Sequence, residues 1–225
     1  MMFMYAIIRA VAPAVIYFFV LWILKKKETG FIKPVLLHFL FGATVSILLG
    51  ILGSKIFSFP LFYLFGNKYG KLLAMILIIP IAEELAKASI LFYTVNNGKK
   101  KMTYGIIYGA TVGLGFSVTE NIIYFSMWET TETFLLLFLF RSIFPTAMHM
   151  LSTAIVGGMM CVENYPSKLS SKLLTLLGVL TAVIIHSVWN VSQYLIDSKL
   201  LGISFLSVAI IISVIAYKIF YEHEK

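Results

Sequence analysis

The sequence carries little charge for its length. Only 12% of its 225 residues are Asp, Glu, Lys or Arg, whereas soluble domains typically carry about 25%. Hydrophobic residues make up 60% of the chain, and the mean hydropathy is +0.94. Apolar runs of about 20 residues, enough to cross a bilayer as a helix, recur along the chain. The composition therefore excludes a soluble globular domain and predicts an integral membrane protein.

Cysteine is nearly absent, and so are the patterns of several common hydrolases. The single cysteine, Cys161, excludes a disulfide framework and a thiolate metal cluster. It lies about 18 Å from His149 along a helix, which argues against a Cys–His nucleophile. The sequence shows no Ser/His/Asp arrangement and no HExxH motif. A hydrolase built on this chain would have to use carboxylates, histidines and amides.

Seven apolar stretches are predicted to form the helices of one all-α membrane bundle. They are residues 4–24, 34–53, 72–94, 104–126, 134–162, 174–196 and 200–221. No stretch is left over for a soluble part, so residues 1–225 are expected to form a single polytopic domain. The aromatic-rich segment 54–71 is expected to be a short interfacial or re-entrant element.

Basic residues cluster in alternate predicted loops, at 25–33, 99–101 and 168–172, and in the C-terminal tail. By the positive-inside rule, this asymmetry predicts that the N-terminus is outside and the C-terminus is cytoplasmic. The rule also explains the net charge of +8. The excess of basic residues therefore indicates how the chain is oriented in the membrane, and no nucleic-acid partner is expected.

The third predicted span contains Glu83, Glu84 and Lys87 close to its middle. Lys87 follows Glu83 by four residues and Glu84 by three, so it can pair with either carboxylate on one helix face. The other carboxylate stays unmatched and is a candidate general base or acid. Intramembrane ionisable residues usually mark function, although a structural ion pair would leave the same pattern.

The fourth predicted span carries a stripe of small residues, Gly105, Gly109 and Gly113, at intervals of four. Such stripes let two membrane helices approach closely. Glu120 lies seven residues after Gly113 on the same face, so it is expected to meet a packed neighbour rather than lipid. The adjacent Asn121 could share its site, or both side chains could form a polar clasp between helices.

The fifth and sixth predicted spans supply two histidines. His149 lies near the middle of the fifth, and Arg141 lies two turns away, where it could be a supporting cation or a snorkelling one. His186 and Asn190 lie four residues apart on one face of the sixth, and such a pair can bind water, a metal ion or an oxyanion. Interhelical hydrogen bonds are the alternative role. The two histidines and the carboxylate pair fall at similar depth, which predicts one buried polar site.

Four segments resemble the signature segments of the PrsW intramembrane proteases, relatives of the CAAX prenyl endopeptidases and the Abi self-immunity proteins. They are EELAK (83–87), GATVGLGFSVTENIIY (109–124), RSIFPTAMH (141–149) and HSVWN (186–190). Their order and spacing match the family, within an expected catalytic core at about residues 72–196. The resemblance implies a peptidase that cleaves a membrane-anchored, single-span protein, such as an anti-sigma factor in a stress response. Carried over by motif, it implies catalytic roles for Glu83, Glu84, His149, His186 and Asn190.

Two catalytic schemes are open. In a glutamic scheme, Glu83 and His149 activate a water, His186 and Asn190 form the oxyanion hole, and Glu84 orients its neighbours with Lys87 or Arg141. In a metallo scheme, His149, His186 and Glu83 hold zinc with an open position for water. The glutamic scheme, without a cofactor, is favoured, and zinc is the alternative cofactor.

Two other function classes remain open. A proton- or ion-coupled transporter also places carboxylates and histidines at the bilayer midplane, but it is expected to show inverted repeats, which the sequence does not display clearly. A non-catalytic immunity or binding protein would tolerate the loss of Glu83. Membrane lipids and a single-span protein substrate are the expected partners.

Overall fold

A computed structural model describes residues 2–25, 32–95, 101–127, 134–161, 168–194 and Ser207. These residues form helices and no strand, which confirms the predicted all-α class for this part of the chain. The helices are α1 (Met2–Lys25), α2 (Ile32–Phe41), α3 (Ile47–Leu73), α4 (Ile79–Val95), α5 (Met102–Met127), α6 (Phe134–Met160) and α7 (Lys168–Tyr194). A π-helical turn, Gly42–Ser46, joins α2 to α3, and a second, Ala74–Ile78, joins α3 to α4.

Four described segments are long and apolar enough to cross a membrane, judged by length and composition. They are Ile32–Val95, Met102–Met127, Phe140–Met160 and Ser171–Tyr194, and a shorter apolar helix covers Ala6–Phe19. The count of seven spans and the orientation of the termini stay predictions. The predicted seventh span, 200–221, lies outside the described residues apart from Ser207.

The segment Ile32–Val95 folds into a helical hairpin whose tip is Gly66. Gly66 has φ 70° and ψ 173°, a combination that is essentially restricted to glycine. A Cβ atom added to Gly53 would lie 3.3 Å from the Cβ of Ala82, so α4 runs back along α3. Segment 54–71 forms the second half of α3 and the tip of this hairpin, and its expected interfacial or re-entrant position stays a prediction.

Helix α5 packs backbone to backbone against α6. A Cβ atom on Gly105, Gly109 or Gly113 would overlap the backbone oxygens of α6, those of Gly157, Thr153 and His149 in turn. The predicted small-residue stripe is therefore confirmed, and its partner is α6. This contact matters for the site because it fixes α6 at the level of His149 and brings Glu120 to the same interface.

Candidate active site

Glu84 lies at the centre of a buried polar cluster formed by α4, α5, α6 and α7. Its Oε1 atom is 2.6 Å from Nζ of Lys87, and both side chains are fully buried. Oε1 also accepts a hydrogen bond of 2.8 Å from Nδ1 of His186, and Oε2 accepts one of 3.2 Å from Oγ of Ser152. These contacts suit the orienting role expected of Glu84, and its cation is Lys87 rather than Arg141.

His186 links Glu84 to Glu83. Because Nδ1 donates its proton to the Glu84 carboxylate, a neutral His186 carries a lone pair on Nε2. That atom lies 3.8 Å from Oε2 of Glu83. Oε2 is shielded from solvent and has no hydrogen-bond partner among the described residues. A shielded carboxylate oxygen without a partner is costly, so this atom is suited to accept a proton, a water or a metal ion.

His149 is buried between Lys87 and Glu120. Its Nδ1 atom lies 3.0 Å from Nζ of Lys87, and its Nε2 atom lies 3.1 Å from Oε2 of Glu120. Since an ammonium group only donates, Nδ1 accepts and Nε2 carries the proton that Glu120 accepts. The rings of His149 and His186 meet edge to face with centroids 5.0 Å apart, so the structure brings the two predicted histidines together.

Arg141 extends this chain of charges beyond Glu120. Its Nη2 atom lies 3.1 Å from Oε1 of Glu120, and its guanidinium carbon lies 3.3 Å from the ring centroid of Tyr124. Arg141 is therefore held by an ion pair and by stacking on an aromatic face. The alternative expectation, a cation that snorkels to the membrane surface, stays a prediction.

The two predicted amides lie beside this cluster. Asn121 donates a hydrogen bond of 3.3 Å from Nδ2 to Oγ1 of Thr146 in the α5–α6 interface. Asn190 donates one of 3.0 Å from Nδ2 to the backbone oxygen of Met75, which lies in the second π turn. The oxyanion role expected of Asn190 stays a prediction, and the structure gives its N–H group a backbone partner.

Three residues at the site were given no role by the sequence. Ser152 lies three residues after His149 on α6, and this spacing places both side chains on one helix face. That spacing could have identified Ser152 as a site residue. The Phe116 ring packs against His149 with centroids 5.1 Å apart and lies under Nζ of Lys87 at 4.8 Å. A Cβ atom on Gly50 would lie 3.3 Å from Cγ of Glu83, so α3 closes the site on that side. No sequence signal marked Gly50, because only the hairpin brings it there.

Glu83, His149 and His186 form a candidate metal-binding set. One donor atom from each lies within 4.8 Å of the others, whereas donors at about 2.0–2.1 Å around tetrahedral zinc are separated by about 3.3 Å. Oε2 of Glu83 has no hydrogen-bond partner among the residues that the structure describes, and Nε2 of His186 faces it at 3.8 Å. A nitrogen of His149 would first have to leave Lys87 or Glu120. The three side chains are therefore of the types that bind catalytic zinc, and zinc binding would require His149 to move.

The charges of the cluster leave room for one further positive charge. Glu83, Glu84 and Glu120 face Lys87 and Arg141, so the cluster carries one net negative charge when both histidines are neutral. A buried cluster is stabilised when its charges balance. A proton held near Glu83 achieves this balance, and so does a zinc ion together with a hydroxide.

Comparison with known families agrees with the geometry. A family model described as "PrsW family intramembrane metalloprotease" matches residues 32–217. The match includes every residue of the polar cluster. Searches of curated proteins and of solved structures found no match. The wider relationship to CAAX endopeptidases and Abi proteins stays a prediction.

Proposed function

Because the chain belongs to the PrsW family of intramembrane proteases, we propose that it is an endopeptidase that uses Glu83 to activate the attacking water. The chain is a multi-pass membrane protein whose polar cluster lies between helices long enough to span a bilayer. Its proposed substrate is a single-span membrane protein, and an anti-sigma factor in a stress response is the specific case that the family resemblance suggests.

One observation supports the role of Glu83 above the others. Its Oε2 atom is shielded and has no hydrogen-bond partner in the described part of the chain, whereas Glu84 is bonded to Lys87, His186 and Ser152. Of these two adjacent carboxylates, only Glu83 has an oxygen available to a water. His186 Nε2, at 3.8 Å from that oxygen, can accept a second hydrogen bond from the same water.

Peptide hydrolysis also needs oxyanion stabilisation and a proton for the leaving nitrogen. The proton that Glu83 takes from the attacking water is the one it passes to that nitrogen. His149 carries an N–H group on Nε2, and its other ring nitrogen, Nδ1, lies 3.0 Å from the ammonium group of Lys87. We assign His149 as the donor that faces the developing negative charge. In the resting state Glu120 accepts a hydrogen bond from that N–H group, and this bond breaks when substrate binds.

A metallo form of the same activity is the second candidate, supported by the donor set of Glu83, His149 and His186 and by the family description. When bound, zinc would polarise the peptide carbonyl and activate a water. In either form, Glu84 holds His186 in place and Lys87 holds His149 in place through their hydrogen bonds.

The experiment is cleavage of a panel of single-span proteins by the purified protein in lipid vesicles. Cleavage that continues in a strong chelator supports the glutamic form, whereas cleavage lost in chelator and restored by zinc supports the metallo form. The same vesicles report proton flux. Proton flux without cleavage of any panel member would overturn the proposal in favour of a transporter.

A further inference from the structure

Both π turns are held by a side chain from another helix. In Gly42–Ser46, the backbone oxygen of Ala43 accepts a hydrogen bond of 2.7 Å from Oγ1 of Thr119. In Ala74–Ile78, the backbone oxygen of Met75 accepts one of 3.0 Å from Nδ2 of Asn190. A π turn disturbs the regular bonding of an α-helix and occurs often at functional sites. The repeated arrangement indicates that these bonds fix the turns.

The second π turn sets the rotation of α4. A π turn contains one residue more than an α-helical turn, and each α-helical residue rotates the chain by about 100°. Relaxation of Ala74–Ile78 to regular α-helix would therefore turn the following residues by about that angle. In the structure, Glu84 and Lys87 are buried while Leu85 is exposed. A rotation of that size would move the two charged side chains away from the histidines.

Asn190 and His186 attach α7 to α4 at two points. They lie one turn apart on α7. Asn190 contacts Met75, in the π turn that precedes α4, and His186 contacts Glu84, on the charged face of α4. The two bonds together fix both the position of the π turn and the direction of the carboxylate pair. The contacts of Glu84 and Lys87 with α6 also hold this charged face, whereas the bond from Asn190 holds the π turn that precedes it.

We propose that Asn190 is a positioning residue, whose hydrogen bond to Met75 holds the π turn Ala74–Ile78 and so fixes the rotation of α4 that brings Glu83 to His186. Its consequence for catalysis rests on the proposed function, but the rotation itself does not. This role differs from oxyanion binding, for which the N–H group of Asn190 would have to leave Met75.

A disulfide between α3 and α4 reports this rotation without any need for activity. A Cβ atom on Gly53 would lie 3.3 Å from the Cβ of Ala82, close to the separation of about 3.5–4.5 Å in disulfides. The test protein carries Gly53→Cys and Ala82→Cys in a Cys161→Ala background, which removes the one native cysteine. Mild oxidation should cross-link this protein rapidly in membranes.

Asn190→Leu keeps the size of the side chain and removes its N–H group. We expect it to slow cross-linking at least about tenfold, because a rotation of about 100° per residue turns Ala82 away from α3. Gln193→Met, a matched amide replacement at an exposed position of the same helix, should cross-link at the parent rate. Cross-linking of Asn190→Leu at the parent rate would overturn the proposal.

Deletion of Leu77, an exposed residue within the π turn, separates this role from a general loss of stability. Removing the extra residue leaves a regular α-helix with the same rotation of α4. The deletion should therefore cross-link normally and should restore cross-linking in Asn190→Leu. Failure of the deletion variant to cross-link, or failure to rescue Asn190→Leu, would contradict the assignment.

Discussion

Nζ of Lys87 lies 2.6 Å from Oε1 of Glu84, and neither side chain has any exposed surface. Lys87 also reaches Nδ1 of His149 at 3.0 Å, so one ammonium group connects the carboxylate pair of α4 to the histidine of α6. Two charges buried this deeply are tolerated only because they compensate each other. Burying the Glu84–Lys87 pair therefore costs free energy of desolvation, and the same pair positions the two histidines of the site.

Lys87→Met should destabilise the protein strongly. The change leaves the carboxylate of Glu84 buried without its cation, and losing one partner of a buried pair costs about 3–5 kcal/mol. Adding Glu84→Gln removes the uncompensated charge and should recover part of that loss. The free energy of unfolding in mixed micelles measures both variants. Equal stabilities of the single and double variants would argue against a compensated pair.

Gly109→Ala should destabilise the α5–α6 contact more than Gly158→Ala does. The new Cβ at Gly109 would meet the backbone oxygen of Thr153, whereas that at Gly158 would meet the side chain of Ile106 at 2.9 Å. A side chain can move aside and a helix backbone cannot, so we expect a cost of about 1–3 kcal/mol at Gly109 and less at Gly158. Thermal unfolding of the two variants side by side provides the comparison, and equal losses would contradict this account.

Arg141→Lys should lower kcat although it keeps the charge. A lysine cannot stack its ammonium as a planar guanidinium does on Tyr124, so it holds Glu120 less firmly. A displacement of about 1 Å at Glu120 can cost up to about 100-fold in rate. Tyr124→Leu should give a similar loss, because it removes the ring that supports Arg141. Wild-type kcat in both variants would show that this contact does not position Glu120.

Much of the site could be predicted because local spacing fixes which side chains share a helix face. The spacing of Lys87 from Glu83 and Glu84 predicted an ion pair with one of the two carboxylates, and the structure shows that it is Glu84. The four-residue glycine intervals predicted a close contact, and the position of Glu120 seven residues further predicted that it meets the same neighbour. Each of these predictions depends on one helix and its periodicity, which sequence shows directly.

The remaining features depend on how the helices are rotated and paired. The contact of Lys87 with His149 and that of Asn190 with Met75 join positions far apart in sequence. The hairpin at Gly66 rests on one backbone conformation within a helix-like stretch, and the two π turns have no clear residue signature. The spacing within α6 leaves the role of Arg141 open because its partner, Glu120, lies on α5. Packing decides such contacts, and periodicity alone does not reveal them.

The most direct test of the central claim is the cleavage rate of Glu83→Gln. Its fold should be intact because Oε2 of Glu83 has no hydrogen bond to any described residue that the change could remove. The cross-link between positions 53 and 82 verifies this. Glu28→Gln, in a predicted loop, is the matched control and should cleave at the wild-type rate. The account predicts that Glu83→Gln loses about 100- to 10,000-fold in rate, the usual contribution of a general base. A folded Glu83→Gln variant that cleaves single-span substrates at the wild-type rate would contradict it.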